Sequence, residues 1–302
     1  MAFKSILPPT PTLTRPLSQI YDSKTQIQLN NLITRNFASS TILLTGALLQ
    51  GLLVLAVPRV WTLLPTVLVL IARFADTLAI TFKFRPNPYL EDVVFQRSAP
   101  VIPDEDGNMS NTPADQKVAV LLLCVKLNHP LGFFSPYAKE VGDFAMKMGR
   151  DLDAQAPNNG FLGQSQWHSV DKRGASELML LSYWRSIDDV HKYSQSSLHL
   201  ETWKWWDQTA YKDSDGLKHI GISHEVFEAP RSRWESVSIN FQPTRLGATT
   251  YLRKGDKLIG GTVDDAWISP IVEAKGKMRT SKGRLNWADS SNDKSGAGED
   301  RH

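Results

Sequence analysis

One apolar stretch near the N-terminus constrains this chain more than any other feature. Residues 41–82 are almost continuously apolar, and Thr41–Val57 contains no charged side chain. As a helix, Thr41–Val57 would be roughly 25 Å long, close to the ~30 Å hydrocarbon core of a bilayer. The apolar run resumes after Pro58 and Arg59. We therefore predict a membrane segment of two helices joined at this turn. The alternative is one spanning helix followed by an interfacial helix.

Basic residues indicate the orientation of this segment. Arg35 precedes it and Lys83 and Arg85 follow it, whereas Arg59 alone lies between the two apolar runs. Because basic residues favour the cytoplasmic side, both ends are predicted to face the cytoplasm. The expected location is a membrane, that of the endoplasmic reticulum, with the globular domain in the cytoplasm. Cys124 is the only cysteine, so an intramolecular disulfide is excluded, as befits a reducing compartment.

Composition divides the remaining chain into distinct regions. The regions are a polar N-terminal segment (1–40), the membrane segment (41–82), a linker (83–116), a globular domain (117–230), a C-terminal extension or dimer arm (231–274) and a disordered tail (275–302). The formal net charge is only +3, and the basic residues are interleaved with acids. Nucleic acid is therefore not expected as a partner, because phosphate contact requires a basic stripe.

The globular domain has the hydrophobic pattern of an α+β fold. The predicted elements are strands at Val118–Leu127, Phe161–Ser169, Glu177–Arg185 and Ile220–Glu228, with helices at Ser135–Leu152 and Ile187–Tyr211. This order, β-α-β-β-α-β, predicts a ferredoxin-like fold with both helices on one face of an antiparallel sheet. Val118–Val125 and Met179–Leu181 are nevertheless apolar on both faces. We therefore expect a second copy of the sheet to cover the other face, forming a homodimer.

Two histidines are the candidate ionisable groups of an apolar pocket. Alternation along the last strand places His224 on the same face as its apolar neighbours. On the second helix, His199, Trp203 and Trp206 share one side because they are four and three residues apart. A desolvated imidazole stays neutral near neutral pH and can act as a base. The structural alternative is a hydrogen-bonded core histidine within an ordinary core of tryptophans.

Other residues complete the predicted site. Alternation places Tyr183 and Arg185 on one face of their strand and Trp184 on the other. For Arg185, an ion pair with Asp188 or Asp189 is the structural alternative. The sequence has no P-loop, dinucleotide fingerprint, His-Glu-x-x-His motif or serine nucleophile elbow. Nucleotide, nicotinamide and zinc-hydrolase chemistry therefore have little support.

Three motifs resemble a known family. They are Tyr183-Trp184-Arg185-Ser186 after a strand, His199-Leu-x-x-Trp203, and Gly221-Ile-x-His224-Glu225. Together they resemble fungal and bacterial proteins related to the antibiotic-biosynthesis monooxygenases, and in particular the membrane-anchored type of fumagillin-like terpenoid pathways. The resemblance implies a dimeric α/β barrel, a pocket between sheet and helices in each subunit, and oxygenation of a secondary metabolite without metal or organic cofactor. Related branches bind haem or isomerise their substrates.

These inferences lead to a functional hypothesis from the sequence. The protein is expected to be a membrane-anchored monooxygenase that uses dioxygen to oxidise a lipophilic terpenoid or polyketide. His224 is the expected base, and Tyr183 and Arg185 are the expected donors to the developing anion. The substrate-binding residues are expected to be Trp167, Trp184, His199, Trp203 and Trp206. The alternatives are a haem protein with His199 or His224 as axial ligand, a cofactor-free isomerase or cyclase, and a non-catalytic lipid-binding dimer.

Overall fold

The computed structural model describes residues 2–12, 14–16, 36–171, 174–210, 216–255, 257–258, 261–262 and 265–287. The longer elements, in chain order, are α1 (Ser39–Ala56), α2 (Arg59–Thr81), β1 (Val94–Pro100), β2 (Val118–Leu127), α3 (Ala138–Gln155), β3 (Phe161–Val170), β4 (Ser176–Trp184), α4 (Ile187–Ser194), α5 (Ser197–Ala210), β5 (Ile220–Ala229), β6 (Ser238–Phe241), β7 (Tyr251–Arg253), β8 (Lys257–Leu258), β9 (Gly261–Thr262), β10 (Ala266–Ile268), β11 (Ile271–Glu273) and α6 (Ser281–Arg284). The chain forms two compact units, one of Ile27–Val93 and one that combines Met1–Gln26 with Val94–His302.

The first unit contains two apolar helices that meet at the predicted turn. α1 and α2 have mean hydropathies of 1.8 and 1.9 in their most apolar windows, and no residue of either window is buried. The Gln50 amide donates a hydrogen bond to the Thr62 carbonyl at 2.9 Å, which links the two helices across Pro58. With 18 and 23 residues, the helices are roughly 27 and 35 Å long. Both are therefore long enough and apolar enough to cross a bilayer.

The second unit is built on a four-stranded antiparallel sheet. Its strand order is β3-β4-β2-β5, and β2 pairs along its whole length with β4 on one side and β5 on the other. With a helix after β2 and helices after β4, this is the ferredoxin-like arrangement. The predicted α+β fold is therefore confirmed.

The helices that follow β4 begin and end at residues that favour a helix terminus. The Ser186 hydroxyl accepts a hydrogen bond from the Asp189 backbone amide, which caps α4 at its N-terminus. The second predicted helix is broken at Gln195 and Ser196, so α4 and α5 are separate helices. α4 packs through Val190 and Tyr193 on the end of the sheet that contains Trp184. α5 packs through Trp205 and Trp206 on the end that contains Leu127.

The C-terminal extension caps its own chain. Leu246, Tyr251 and Ile268 form a buried cluster with Val118 and Leu162 of the main sheet. Two small sheets, β11-β1-β6 and β10-β7, build this extension, and β8 pairs with β9. Of the two roles that the sequence allowed for this region, the described residues therefore show intramolecular packing.

The N-terminal segment also belongs to the second unit, which the sequence did not predict. Residues 2–12 and 14–16, here called the N-terminal strap, lie along the extension, with Ser5 bridging Val272 and Thr10 bridging Trp267. The strap ends at Arg15, which is buried and forms an ion pair with Asp153 of α3 at 3.6 Å. The strap is thus fixed at both ends to parts of the chain far away in sequence.

The predicted disordered tail is folded as far as the structure describes it. Met278 is buried among Ala99, Val101 and Val272. The Arg284 guanidinium donates to the carbonyl of Met278 at 2.9 Å. The burial of this one apolar side chain orders the segment from residue 275 to 287, whereas residues 288–302 lie outside the described residues.

A candidate active site between the main sheet and its helices

The register of the sheet places one row of side chains under the helices. In antiparallel strands, directly opposite residues share a face. His224 of β5 lies opposite Leu123 of β2, Leu123 opposite Leu180 of β4, and Leu180 opposite Gln166 of β3. Leu123 lies between Leu121 and Val125, which pack against the helices. The row His224-Leu123-Leu180-Gln166 therefore faces the helices and spans roughly 14 Å, three strand spacings.

The core between sheet and helices consists of two separate clusters. The upper cluster includes Trp184 and Phe161, and the lower one includes Leu127 and Ile220. Leu123, Leu178 and Leu180 lie between these clusters, and each keeps part of its surface accessible although it lies at the centre of the sheet. Central residues of a packed sheet are normally buried. The middle of the sheet, here called the leucine floor, is therefore an apolar surface that is partly open to solvent between the two clusters.

His199 of α5 is a partly desolvated imidazole. Burial lowers its pKa from the ordinary 6.5, and the His224 ring lowers it further, while the backbone carbonyl of Ser194 opposes both effects. The ring is therefore neutral at neutral pH. The folded chain takes up a proton at His199 less readily than the unfolded chain does. The contribution of neutral His199 to the free energy of unfolding is therefore fully present above pH 6.5 and is lost as the pH falls through the lowered pKa.

His224 lies on the edge strand β5 and is exposed. It shares the helix-facing side of the sheet with Leu123, and its charge contributes to the lowered pKa of the His199 imidazole. The two histidines that the sequence selected are thus brought together at one edge of the leucine floor. One ring is shielded and the other is open to water.

A continuous row of rings leads from the core to His199 and beyond. Trp184 lies 6.0 Å from Tyr193, Tyr193 lies 6.3 Å from His199, and His199 lies 6.4 Å from Trp203, all between ring centroids. Trp203 lies 6.5 Å from Trp206. Trp184 is completely buried, and its indole N–H donates to the Ser182 hydroxyl at 3.0 Å. Trp184 therefore supports the site from within the core, whereas half-exposed Trp203 lies beside the shielded imidazole.

Tyr183 and Arg185 lie on the opposite side of the sheet from the histidines. Tyr183 packs against the extension, and burial raises the pKa of its hydroxyl although Arg245 opposes the shift. The Arg185 guanidinium donates to the carbonyls of Pro103 and Asp104 at 3.4 and 3.2 Å. Tyr183 contacts the extension and Arg185 contacts residues 103 and 104 of the linker, and neither Asp188 nor Asp189 is the partner of Arg185 in these contacts.

Trp167 is also on the opposite face. It lies opposite Met179 in the register of β3 and β4, and the Arg245 guanidinium lies over its ring at 5.7 Å. The structure therefore separates the predicted site residues into two sets. His199, His224, Trp184, Trp203 and Trp206 lie on the helix side, whereas Tyr183, Arg185 and Trp167 lie on the other.

The sequence did not predict the polar residues of β3 at the far end of the row His224-Leu123-Leu180-Gln166. Gln166 closes the leucine floor at the edge opposite His224, and His168 follows two residues later on the same face of β3. Simple alternation from Phe161 would have put Gln166 on the other face, because the register of β3 shifts between Phe161 and Gly163. Among the described residues, no group of three or more His, Cys, Asp or Glu side chains is arranged to hold a metal ion.

Residues 118–246 are similar to a known protein family. These residues match the model of the family "Monooxygenase af470-like". The chain is also 28% identical over 275 residues to Monooxygenase af470 of Aspergillus fumigatus, an alignment that covers 90% of this chain and 93% of the relative. The family resemblance indicated by the three sequence motifs is thereby confirmed.

Solved structures give weaker matches. Aldoxime dehydratase OxdRE, crystallised with butyraldoxime, is 16% identical with a TM-score of 0.34, over 63% of this chain and 44% of that chain. A putative antibiotic biosynthesis monooxygenase from Bacillus cereus is 18% identical with a TM-score of 0.21, over 37% of this chain and 91% of that chain. The ferredoxin-like assignment rests on the strand order of this chain itself.

Proposed function

From the match of residues 118–246 to the Monooxygenase af470-like family, we propose that this chain is a membrane-anchored monooxygenase that oxidises a lipophilic secondary metabolite. The substrate is a terpenoid or polyketide intermediate with an acidic C–H group. The single observation that carries the proposal is the pair His199 and His224 beside the partly accessible leucine floor. An apolar surface with few convergent polar groups is typical of small-molecule sites.

The proposed reaction uses the substrate as its only reductant. A base removes a proton from the acidic carbon, and the carbanion transfers one electron to dioxygen. The substrate radical and superoxide then combine into a peroxide. Loss of water converts the original CH₂ group into C=O, so one oxygen atom enters the product and the other leaves as water. The two electrons that reduce the second oxygen atom come from the C–H bonds, and the scheme requires neither metal nor organic cofactor.

The environments of the two histidines support different roles. Burial keeps His199 neutral, so its single N–H can donate to the oxyanion that develops on the substrate once it leaves the Ser194 carbonyl. His224 is exposed, so water can stabilise the imidazolium that forms when the ring accepts the proton. Leu123 and Leu180 provide the apolar floor, and Gln166 is a second hydrogen-bonding group at its far edge.

The face of the main sheet that points away from the helices supports a homodimer. Leu122, Cys124, Met179 and Leu181 lie on that face and are only partly buried, and Phe227 beside them is exposed. A second copy of the same sheet would remove this apolar surface from water. Light scattering of the purified full chain in detergent is expected to give the protein mass of two copies, and a single-copy mass would contradict the dimer.

The fold of the second unit limits how the proposed membrane anchor can cross the bilayer. The N-terminal strap before α1 and the strands after α2 fold as one unit, joined through the Thr10–Trp267 bridge and the Arg15–Asp153 ion pair. Both ends of the apolar segment must then lie on one side of the bilayer, so it crosses an even number of times. This supports a helical hairpin with both ends in the cytoplasm, as the flanking basic residues also indicate.

We predict opposite accessibility for the strap and for the interhelical turn. Cysteines are introduced as Thr12→Cys or Arg59→Cys in a Cys124→Ala background, and sealed endoplasmic-reticulum vesicles are treated with a membrane-impermeant maleimide. Position 12 is expected to react in intact vesicles, because the strap lies on the cytoplasmic side. Position 59 is expected to react only after detergent opens the vesicles. Reaction of both positions, or of neither, before detergent would contradict the hairpin.

Labelled dioxygen tests the proposed reaction. Membranes containing the full chain are incubated with ¹⁸O₂ and a panel of lipophilic ketones and phenols, and products are analysed by mass spectrometry. One ¹⁸O atom is expected in the product and one in water. Product formation without label would instead identify an isomerase or cyclase. A Soret band in the purified protein would reject the cofactor-free route in favour of haem.

A further inference from the structure

An exposed apolar stripe lies on the small sheet β11-β1-β6. Val237, which precedes β6, and Ile239 are two residues apart and point to one face. Phe241 ends the strand after Asn240, whose backbone is left-handed with φ 50°. The exposed fractions of Val237, Ile239 and Phe241 are 43%, 49% and 47%. β6 is an edge strand in the described sheet, and only 12 residues separate its partner β1 from the last residue of α2. The chain thus leaves the apolar helices and soon reaches a strand whose neighbour displays apolar side chains to solvent.

A basic segment borders the apolar stripe on the same face. Arg97 of β1 lies opposite Ile239, so the two side chains share a face. The Arg97 guanidinium donates to the carbonyl of Arg279 at 3.0 Å. This contact places residues 275–284, here called the basic segment, beside the stripe. Its exposed bases are Lys275, Lys277, Arg279 and Lys282, and one nearby carboxylate, Glu273, pairs with Lys275.

The basic segment is held in a fixed shape. Buried Met278 packs against Ala99 and Val272. These two residues pair with each other at one end of the small sheet, on the face that carries the stripe but beyond it. Arg284 ties the segment together by donating to the carbonyls of Met278 and Arg279 and by pairing with Glu235. The bases are therefore presented next to the apolar stripe by packing that does not involve the stripe itself.

We propose that the apolar stripe and the basic segment form a bilayer-docking surface that contacts anionic lipid headgroups. Apolar side chains at the interface bury surface in the acyl boundary, and adjacent bases are attracted to anionic lipids. The proposal rests on the membrane anchoring proposed above. It adds that the catalytic unit is held against the bilayer, so a lipophilic substrate can pass from the membrane to the protein without crossing bulk water.

An environment-sensitive fluorophore measures this contact in the full chain. In a Cys124→Ala background, the probe is attached to a cysteine replacing Phe241, Phe134 or Leu68, and the protein is reconstituted into phosphatidylcholine and phosphatidylserine vesicles with or without nitroxide lipids. Phe134 is the matched control, since it is an equally exposed phenylalanine at 49%. Leu68 lies in α2 and reports whether the helices enter the bilayer.

The expected result is nitroxide quenching and a blue shift at positions 68 and 241, with neither at position 134. Replacing Lys277 and Arg279 by glutamine is expected to weaken docking at position 241 roughly fivefold per base in phosphatidylserine vesicles. Quenching at position 68 without quenching at position 241 would overturn the docking surface and leave the anchor intact. A blue shift at position 241 that depends on protein density, without nitroxide quenching, would assign the stripe to a second copy instead. Absence of quenching at position 68 would reject the anchor and the docking surface together.

Discussion

Replacing His224 with glutamine is expected to lower turnover by roughly 10²–10⁴-fold, the contribution of a positioned general base. Glutamine retains a hydrogen-bonding group of similar reach but cannot accept the substrate proton at neutral pH. The loss is expected in kcat, because apolar contacts with the leucine floor remain and substrate affinity changes little. The measurement is dioxygen consumption with the accepted substrate over a range of pH, where the limb due to the base should disappear.

The matched control is His191→Gln. His191 is exposed in the last turn of α4, and its replacement should leave turnover unchanged. Tyr183→Phe provides a second comparison, because Tyr183 packs on the other face of the sheet against the extension. A His224→Gln variant as active as the original chain would remove the proposed base. A loss confined to Tyr183→Phe would move the chemistry to the opposite face.

Replacing Arg15 with methionine is expected to destabilise the second unit by ~3–5 kcal/mol, because it breaks the buried ion pair with Asp153 by removing the positive charge. Both side chains of the pair are 2% exposed. Arg15 also donates to the Thr250 hydroxyl at 2.9 Å and to the Phe161 carbonyl at 3.1 Å. Burial lowers the pKa of Arg15 to about 10, so the guanidinium remains charged at neutral pH. Chemical unfolding of the full chain in detergent, followed by tryptophan fluorescence, measures the loss.

Two further variants separate the buried charge from simple loss of packing. Arg15→Met combined with Asp153→Leu removes both charges, and most of the stability should return because an apolar replacement of a buried pair is often neutral. Lys139→Met removes one partner of the exposed pair with Asp143 and should change stability little. If the double variant were as unstable as Arg15→Met alone, the negative charge of Asp153 would not be the cause.

The sequence predicts the main sheet because its signals are local. Val118–Leu127 is a continuous apolar run, as expected for a central strand, and it pairs on both sides as β2. Alternation along β5 also predicts correctly that His224 faces the same side as Ile222. The three-residue and four-residue spacings place His199, Trp203 and Trp206 on one side of α5, where their rings lie in sequence.

Long-range contacts explain what the sequence did not predict. The strap has no periodic pattern, and Arg15 is ordered by Asp153, Phe161 and Thr250, which follow much later in the chain. Tyr183 and Arg185 have the residue types of catalytic donors, but Tyr183 packs against the extension and Arg185 bonds to the linker. The strands of the extension are two to four residues long, too short to show a hydrophobic period. Their pairing is decided by tertiary packing.

The histidine ring signals in the NMR spectrum of the full chain in nanodiscs test the central claim most directly. With the substrate absent, His199 should titrate below pH 6.5, and its pKa should rise in His224→Gln because the neighbouring imidazole no longer disfavours its charge. Adding the lipophilic substrate should move the signals of both rings, since the account places the bound molecule between them and the leucine floor. Unchanged His199 and His224 signals at saturating substrate, while product still forms, would contradict it.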